Sequence, residues 1–188
     1  MALNVLLLGP QGAGKGTQAQ RIAADYGIPH IASGEILRAE MDADTDLGRR
    51  VKETIERGDL VSDDLMIELI RNRLEQPDTE AGFVLDGFPR TIVQAEALDS
   101  MFSDIGRNFS VAFALEIPDE VAFDRLRRRA RADDTDEAIQ RRLDNYHRET
   151  EPLIEFYRTR GNVVPIHANR SENEVFAEIS RALEQVPA

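Results

Sequence analysis

The residues Gly9-Pro10-Gln11-Gly12-Ala13-Gly14-Lys15-Gly16-Thr17 carry the strongest chemical signal in the chain. Closely spaced glycines let the backbone curl until several N–H groups aim at one anion. A helix that begins where the loop ends turns its positive end toward the same anion. Lys15 adds a mobile charge suited to the β- and γ-phosphates of a nucleotide. The bland alternative is a Gly-rich strand-to-helix turn with a surface lysine; the strand–loop–helix setting argues against it. The strict pattern places Ser or Thr directly after the lysine, whereas this chain has Gly16, with Thr17 one place later. Direct coordination of Mg²⁺ by a loop hydroxyl is therefore not expected. Asp86, closing the apolar stretch Phe83-Val84-Leu85, is the candidate for holding Mg²⁺, through water. Its plain alternative is a turn residue before Gly87.

These residues need a scaffold. Short apolar stretches at Asn4–Leu8, His30–Ile31, Gly82–Asp86, Ser110–Ile117 and Asn162–His167 alternate with helical patterns. That alternation predicts an α/β fold with a five-stranded parallel sheet covered by helices on both faces. Ser62 is positioned to cap a helix bearing Met66, Ile67, Ile70 and Leu74. Ser171 with Glu174 reads as a capping box ahead of Val175, Ile179 and Leu183. A long helix is expected from about Thr135 to about Tyr157, with Ile139, Leu143, Tyr146 and Ile154 facing inward and a kink or break at Pro152. No linker divides the chain, so residues 1–188 read as one domain with two polar, charged insertions, about 33–61 and about 128–136.

Composition narrows the function classes. A 41% hydrophobic content supports a real core, and a net charge of −12 over 188 residues argues against general nucleic-acid binding. No apolar run approaches the ~20 residues that span a bilayer, and Val5-Leu6-Leu7-Leu8 is too short for a signal peptide. Without cysteine, disulfides and Cys-ligated zinc are excluded. A cytoplasmic monomer is the expectation. The three histidines, His30, His147 and His167, are not spaced as a metal site and read as packing or hydrogen-bonding residues.

The loop resembles that of the nucleoside monophosphate kinases, and the adenylate kinases among them. Three further segments fit in the same order: Ile31-Ala32-Ser33-Gly34-Glu35-Ile36-Leu37-Arg38; Leu85-Asp86-Gly87-Phe88-Pro89-Arg90-Thr91 with Gln94; and Arg131-Ala132-Asp133-Asp134 with Arg142. The resemblance implies a three-layer P-loop fold with a helical AMP-binding flap and a short lid loop. It implies reversible, Mg²⁺-dependent transfer of the ATP γ-phosphoryl group to AMP, giving two ADP. By the same resemblance Gly12, Ala13, Gly14, Lys15, Gly16 and Thr17 hold ATP phosphates, and Arg125 and the main chain of Arg170 lie against the ATP adenine. Ser33, Asp59, Leu60, Val61, Gly87, Phe88, Pro89 and Gln94 border AMP, with Arg38 and Arg90 on its phosphate. Arg129, Arg131 and Arg142 surround the transferring group, and Asp133 and Asp134 tie the lid closed.

Arginine suits phosphoryl transfer because its planar fork meets two oxygens and stays charged. Five arginines fall between Arg125 and Arg131, and a helix cannot aim them all at one point. Arg125 and Arg129, four apart, should share the substrate face, leaving Arg127 and Arg128 to solvent. The lid is too short for an extra small domain, so a loop without zinc is expected.

Two rival readings remain. A UMP/CMP kinase is one, although Ser33, Thr91 and Gln94 favour AMP. A P-loop ATPase or switch module is the other, although no Asn-Lys-x-Asp guanine-reading segment is present.

Overall fold

The computed structural model describes residues 2–186. Its strands are β1 (Leu3–Leu8), β2 (His30–Ala32), β3 (Gly82–Asp86), β4 (Val111–Glu116) and β5 (Val163–His167). They form one all-parallel sheet in the order β2-β3-β1-β4-β5. The fold is thus the α/β architecture that the alternating apolar stretches predict, with strand ends displaced by at most one residue from those expected.

The sheet is buried on both faces. Leu6, Leu8, Phe83 and Leu85 pack beneath α4 (Asp63–Leu74), α5 (Ile92–Asp104) and α8 (Pro152–Arg158). Val5, Leu7, Val84, Val111 and Phe113 pack beneath α1 (Lys15–Tyr26) and α9 (Glu172–Leu183). Alternate residues of β1 therefore feed opposite cores, which is why the strand reads as an unbroken apolar run. Each fully buried Leu or Phe contributes about 1.5–3 kcal/mol. β1 sits at the centre with β3 on one side and β4 on the other, so the chain changes direction across it. In such sheets the crevice beyond the strand ends at this point is where ligands bind.

The remaining helices surround that crevice. α2 (Ser33–Asp42) and α3 (Asp46–Glu56) form a pair whose crossing is tight at Gly48, where any side chain would strike the Glu40 backbone. Thr45 caps α3 by accepting from the Gly48 N–H at 3.0 Å. α6 (Asp119–Arg129) and α7 (Asp136–Asn145) pack through Ala122, Leu126, Ile139 and Leu143.

Two helix expectations change. The stretch from Thr135 to Tyr157 is not one helix. It is α7, a π-turn over Tyr146–Thr150, then α8 beginning at Pro152. Proline supplies no N–H and its ring crowds the carbonyl four residues back. The widened turn removes the conflict, with the Glu151 N–H donating to Tyr146 O at 2.8 Å. Leu153 and Tyr157 are then the buried positions of α8, and Ile154 is only half-buried. Ser62 precedes α4 as expected, yet its hydroxyl makes no capping bond. Asp63 and Asp64 instead put negative charge in the first turn, opposite the positive helix end. The capping box of Ser171 and Glu174 is present. Among the described residues no helix is long and apolar enough to cross a membrane.

Candidate active site

A cleft of about 590 Å³ opens at the ends of β1 and β3. Its floor is the Gly9–Thr17 loop. Gly9 (φ 139°) and Gly12 (φ 88°) hold left-side backbone angles, and a Cβ on them would lie 2.6 Å from Leu115 O and 2.7 Å from Ala122 O. Glycine is thus required twice, by conformation and by the close approach of neighbouring backbone. Gly14 precedes α1 in the left-handed region, and Gly14 to Thr17 line the cleft, so the helix end whose first N–H groups lack intrahelical partners borders it.

Lys15 lies along this floor. Its ammonium donates to Gly9 O at 2.7 Å and Pro10 O at 2.8 Å. Burial pushes its pKa down to about 8, with Arg90 and Arg129 adding to the shift and Asp86 opposing it. Asp86 ends β3 in line with Leu7 of β1. Burial alone would raise its carboxyl, but His30, Lys15 and Arg90 outweigh that and hold it below the usual value. His30 Nε2 stands 3.7 Å from Asp86 Oδ2. A Cβ on Gly16 would lie 3.7 Å from the same carboxylate oxygen, so the residue after Lys15 and the end of β3 border one space.

The arginines converge as well. Arg38 comes from α2, Arg90 from the segment after β3, Arg125 and Arg129 from α6, Arg131 from the following loop and Arg142 from α7, and all six line the cleft. Arg127 and Arg128 do not; Arg127 pairs with Asp136 at the surface, 3.4 Å away. Burial lowers the pKa of Arg90; Asp86 opposes the shift, while Arg142 and Arg38 add to it. An anion entering among these cations relieves their mutual repulsion.

Two carboxylates hold part of the cluster. Asp134 bonds Arg129 at 2.8 and 2.9 Å and Arg142 at 2.6 Å, while Asp133 takes the other arm of Arg142 at 2.5 Å. Burial acts to raise the Asp134 carboxyl, but Arg129 and Arg142 outweigh it and keep the group below its usual value. Arg125 donates to Gly12 O at 3.3 Å and to Ala168 O at 3.1 Å, bridging the loop to the end of β5.

Ser33, Asp59, Leu60, Val61, Gly87, Pro89 and Gln94 also line the cleft. Gly87 (φ 81°) allows Ser33 Oγ and the Arg90 guanidinium to crowd the same point. The Gln94 amide oxygen accepts from the Arg90 backbone N–H at 2.7 Å. Ala13 and Phe88 are buried behind the wall, and Asp134 reaches the cleft only through its arginines. Arg170 is not part of the lining. It donates to His167 O and pairs with Glu178, on the outer side of β5 and α9. Two contributors carry no readable sequence signal. Asp63 accepts from Thr91 Oγ1 at 2.9 Å and Gln94 Nε2 at 2.8 Å, and Thr150 donates to Arg90 O at 2.9 Å.

The adenylate kinase family model matches residues 7–162. The chain belongs to the adenylate kinase family. Its curated relatives agree over nearly their whole length. An adenylate kinase from Methanosarcina barkeri is 39% identical, with 97% of this chain and 99% of that one aligned. One from Xanthomonas euvesicatoria is 42% identical over 96% and 99%. One from Phocaeicola vulgatus is 41% identical over 98% and 100%. The matched span contains the loop and every cleft arginine named above.

Proposed function

We propose that this enzyme moves the γ-phosphoryl group of ATP onto AMP, reversibly, giving two ADP. The observation that carries this is the convergence of Lys15, Arg38, Arg90, Arg129, Arg131 and Arg142 on one cleft floored by an amide-rich loop. Phosphoryl transfer needs in-line positioning and fixed positive charge, not a covalent intermediate. The loop from Gly12 to Thr17 holds the ATP phosphates, with Lys15 on their far end and Arg125 beside the adenine. Arg38 and Arg90 take the AMP phosphate. Ser33, the main chain of Asp59–Val61 and Gln94 border the AMP base. Arg129, Arg131 and Arg142 neutralise charge on the moving group. Arg170 is proposed only through its main chain beside the ATP base.

Magnesium fits the donor set. Mg²⁺ keeps several waters and takes one or two carboxylates plus substrate phosphates, and Asp86, an anion on the cleft wall, supplies such a carboxylate. When bound, the ion would be held through water by Asp86 and would offset negative charge on the phosphates. Residues 33–61 are proposed as the AMP flap and 128–136 as the lid, with Asp133 and Asp134 anchoring the latter so that water is kept from the reaction. A cytoplasmic monomer is the proposed setting. The net charge of −12 without cysteine supports it, as do exposed large apolar side chains limited, among the described residues, to Tyr26, Ile92, Val93 and Ile105.

A coupled assay for ADP with ATP as donor and AMP, UMP, CMP or GMP as acceptor tests the reading. ADP should form with AMP far faster than with the others, and not with ATP alone. Preference for UMP or CMP would overturn the substrate. Phosphate release without an acceptor would overturn the reaction.

A further inference from the structure

The Gln94 side chain is 2% exposed and lines the cleft together with the apolar Leu37, Val61 and Met66. A glutamine amide is two-faced. Rotated by half a turn, it exchanges its donor and its acceptor. Adenine presents an acceptor at N1 and a donor at N6, whereas a 6-oxopurine presents the reverse pair. A freely turning glutamine could therefore read either base edge.

Here the amide is held from both sides. The Arg90 backbone N–H donates to Gln94 Oε1 at 2.7 Å, and Gln94 Nε2 donates to Asp63 Oδ1 at 2.8 Å. A backbone N–H can only donate and a carboxylate can only accept. Turning the amide would oppose two donors at Arg90 and two acceptors at Asp63. The orientation is therefore dictated by the neighbours alone. One Nε2 hydrogen and one Oε1 lone pair remain to meet a base. Thr91 Oγ1 fixes Asp63 in turn, donating to the same Oδ1 at 2.9 Å.

We infer that Asp63 is a positioning residue that locks the Gln94 amide in one orientation and so sets selectivity for a 6-amino over a 6-oxo purine monophosphate. The inference rests on the acceptor-site reading above and deepens it. In Asp63→Asn the replacement keeps the volume but can donate or accept. The turned amide then finds a partner at position 63, and half of the lock is gone.

The test measures kcat and KM of the parent and of Asp63→Asn with AMP and with inosine monophosphate, ATP being the donor. Inosine monophosphate differs from AMP only at the edge in question. The expected result is a fall of at least tenfold in the AMP-to-inosine-monophosphate ratio of kcat/KM. It should arise from the KM values of the acceptors, with the KM for ATP and the Tm little changed. A ratio within twofold of the parent would overturn the inference, as would a Tm loss with no change in ratio. Should Asp63→Asn fail to fold, Asp63→Ser removes the obligate acceptor and is judged by the same ratio. A parent that does not phosphorylate AMP at all would overturn the acceptor-site reading beneath it, a failure visible before any variant is made.

Discussion

The two halves of the cleft are built by different forces. The Gly9–Thr17 loop is fixed by packing. Its glycines lie against the backbones of Leu115 and Ala122, and fully buried strands support it. The loop between α6 and α7 is fixed by charge, through Asp133 and Asp134 on Arg129 and Arg142. A packed loop is ready before a ligand arrives and is indifferent to salt. A loop tied by carboxylates can exchange those carboxylates for phosphate oxygens, because both satisfy the same guanidinium forks. The floor is therefore set by packing alone, whereas the charged side is held by contacts that a phosphate could replace.

That contrast can be broken at several points. The largest effect is expected at Arg90, where both halves meet. Arg90→Ala should cut single-turnover transfer by ~10³-fold or more, as loss of an arginine finger does, and Arg129→Ala should act similarly. Rates within about tenfold of the parent would refute the role given to either.

Gly12→Ala tests the packed side. The new methyl meets Ala122 O at 2.7 Å on a backbone with φ 88°, so a loss of about 1–3 kcal/mol in urea unfolding is expected, together with weakened ATP binding. An unchanged denaturation midpoint would show the loop to be more adaptable than its geometry states.

Lys15 gives a pH test. Because burial lowers its pKa to about 8, the free enzyme should lose kcat/KM for ATP above about pH 8. In the folding equilibrium the sign is opposite to that of a paired lysine. Between about 8 and the ordinary value near 10.4 the unfolded chain binds more protons, so stability rises with pH across that window. Lys15→Arg should remove the alkaline limb of the rate profile.

Asp134 tests the charged side. Its folded pKa lies below that of the unfolded chain. Its contribution is thus complete above ~4 and is lost as pH falls through the folded value. Asp134→Asn should flatten that acid limb in thermal scans, and raised salt should weaken this variant less than the parent. The smallest effect is expected at Arg127, which pairs with Asp136 in the open. Arg127→Gln should shift stability by less than about 0.5 kcal/mol and leave kcat unchanged.

Much of this was legible in the sequence because it is local. Strands buried on both faces announce themselves as apolar runs, and the loop glycines stand at fixed offsets from Lys15. The four-residue spacing of Arg125 and Arg129 places both on the cleft while Arg127 and Arg128 point away. Long-range partners were not legible. Asp63 reads as an ordinary acidic residue at a helix start, and only the packing of α4 against α5 brings it to Gln94. Thr150 reads as a helix-interior residue. The outward turn of Arg170 depends on Glu178, eight residues on, in another element. The π-turn was half legible: Pro152 signals a disturbance, but not whether the helix breaks or widens.

That widened turn also constrains how this chain can change. It houses Thr150, whose hydroxyl holds the carbonyl of Arg90. A π-turn takes up one extra residue without rotating the helix that follows, so deleting any one residue from Tyr146–Thr150 would let the backbone return to ordinary helical pitch with α8 still turned to the core. Leu153 and Tyr157 would keep their buried face, but the ring of Pro152 would again crowd the carbonyl four residues back. The wide turn and Pro152 thus form a matched pair: the extra residue can be lost without strain only where the proline is replaced with it.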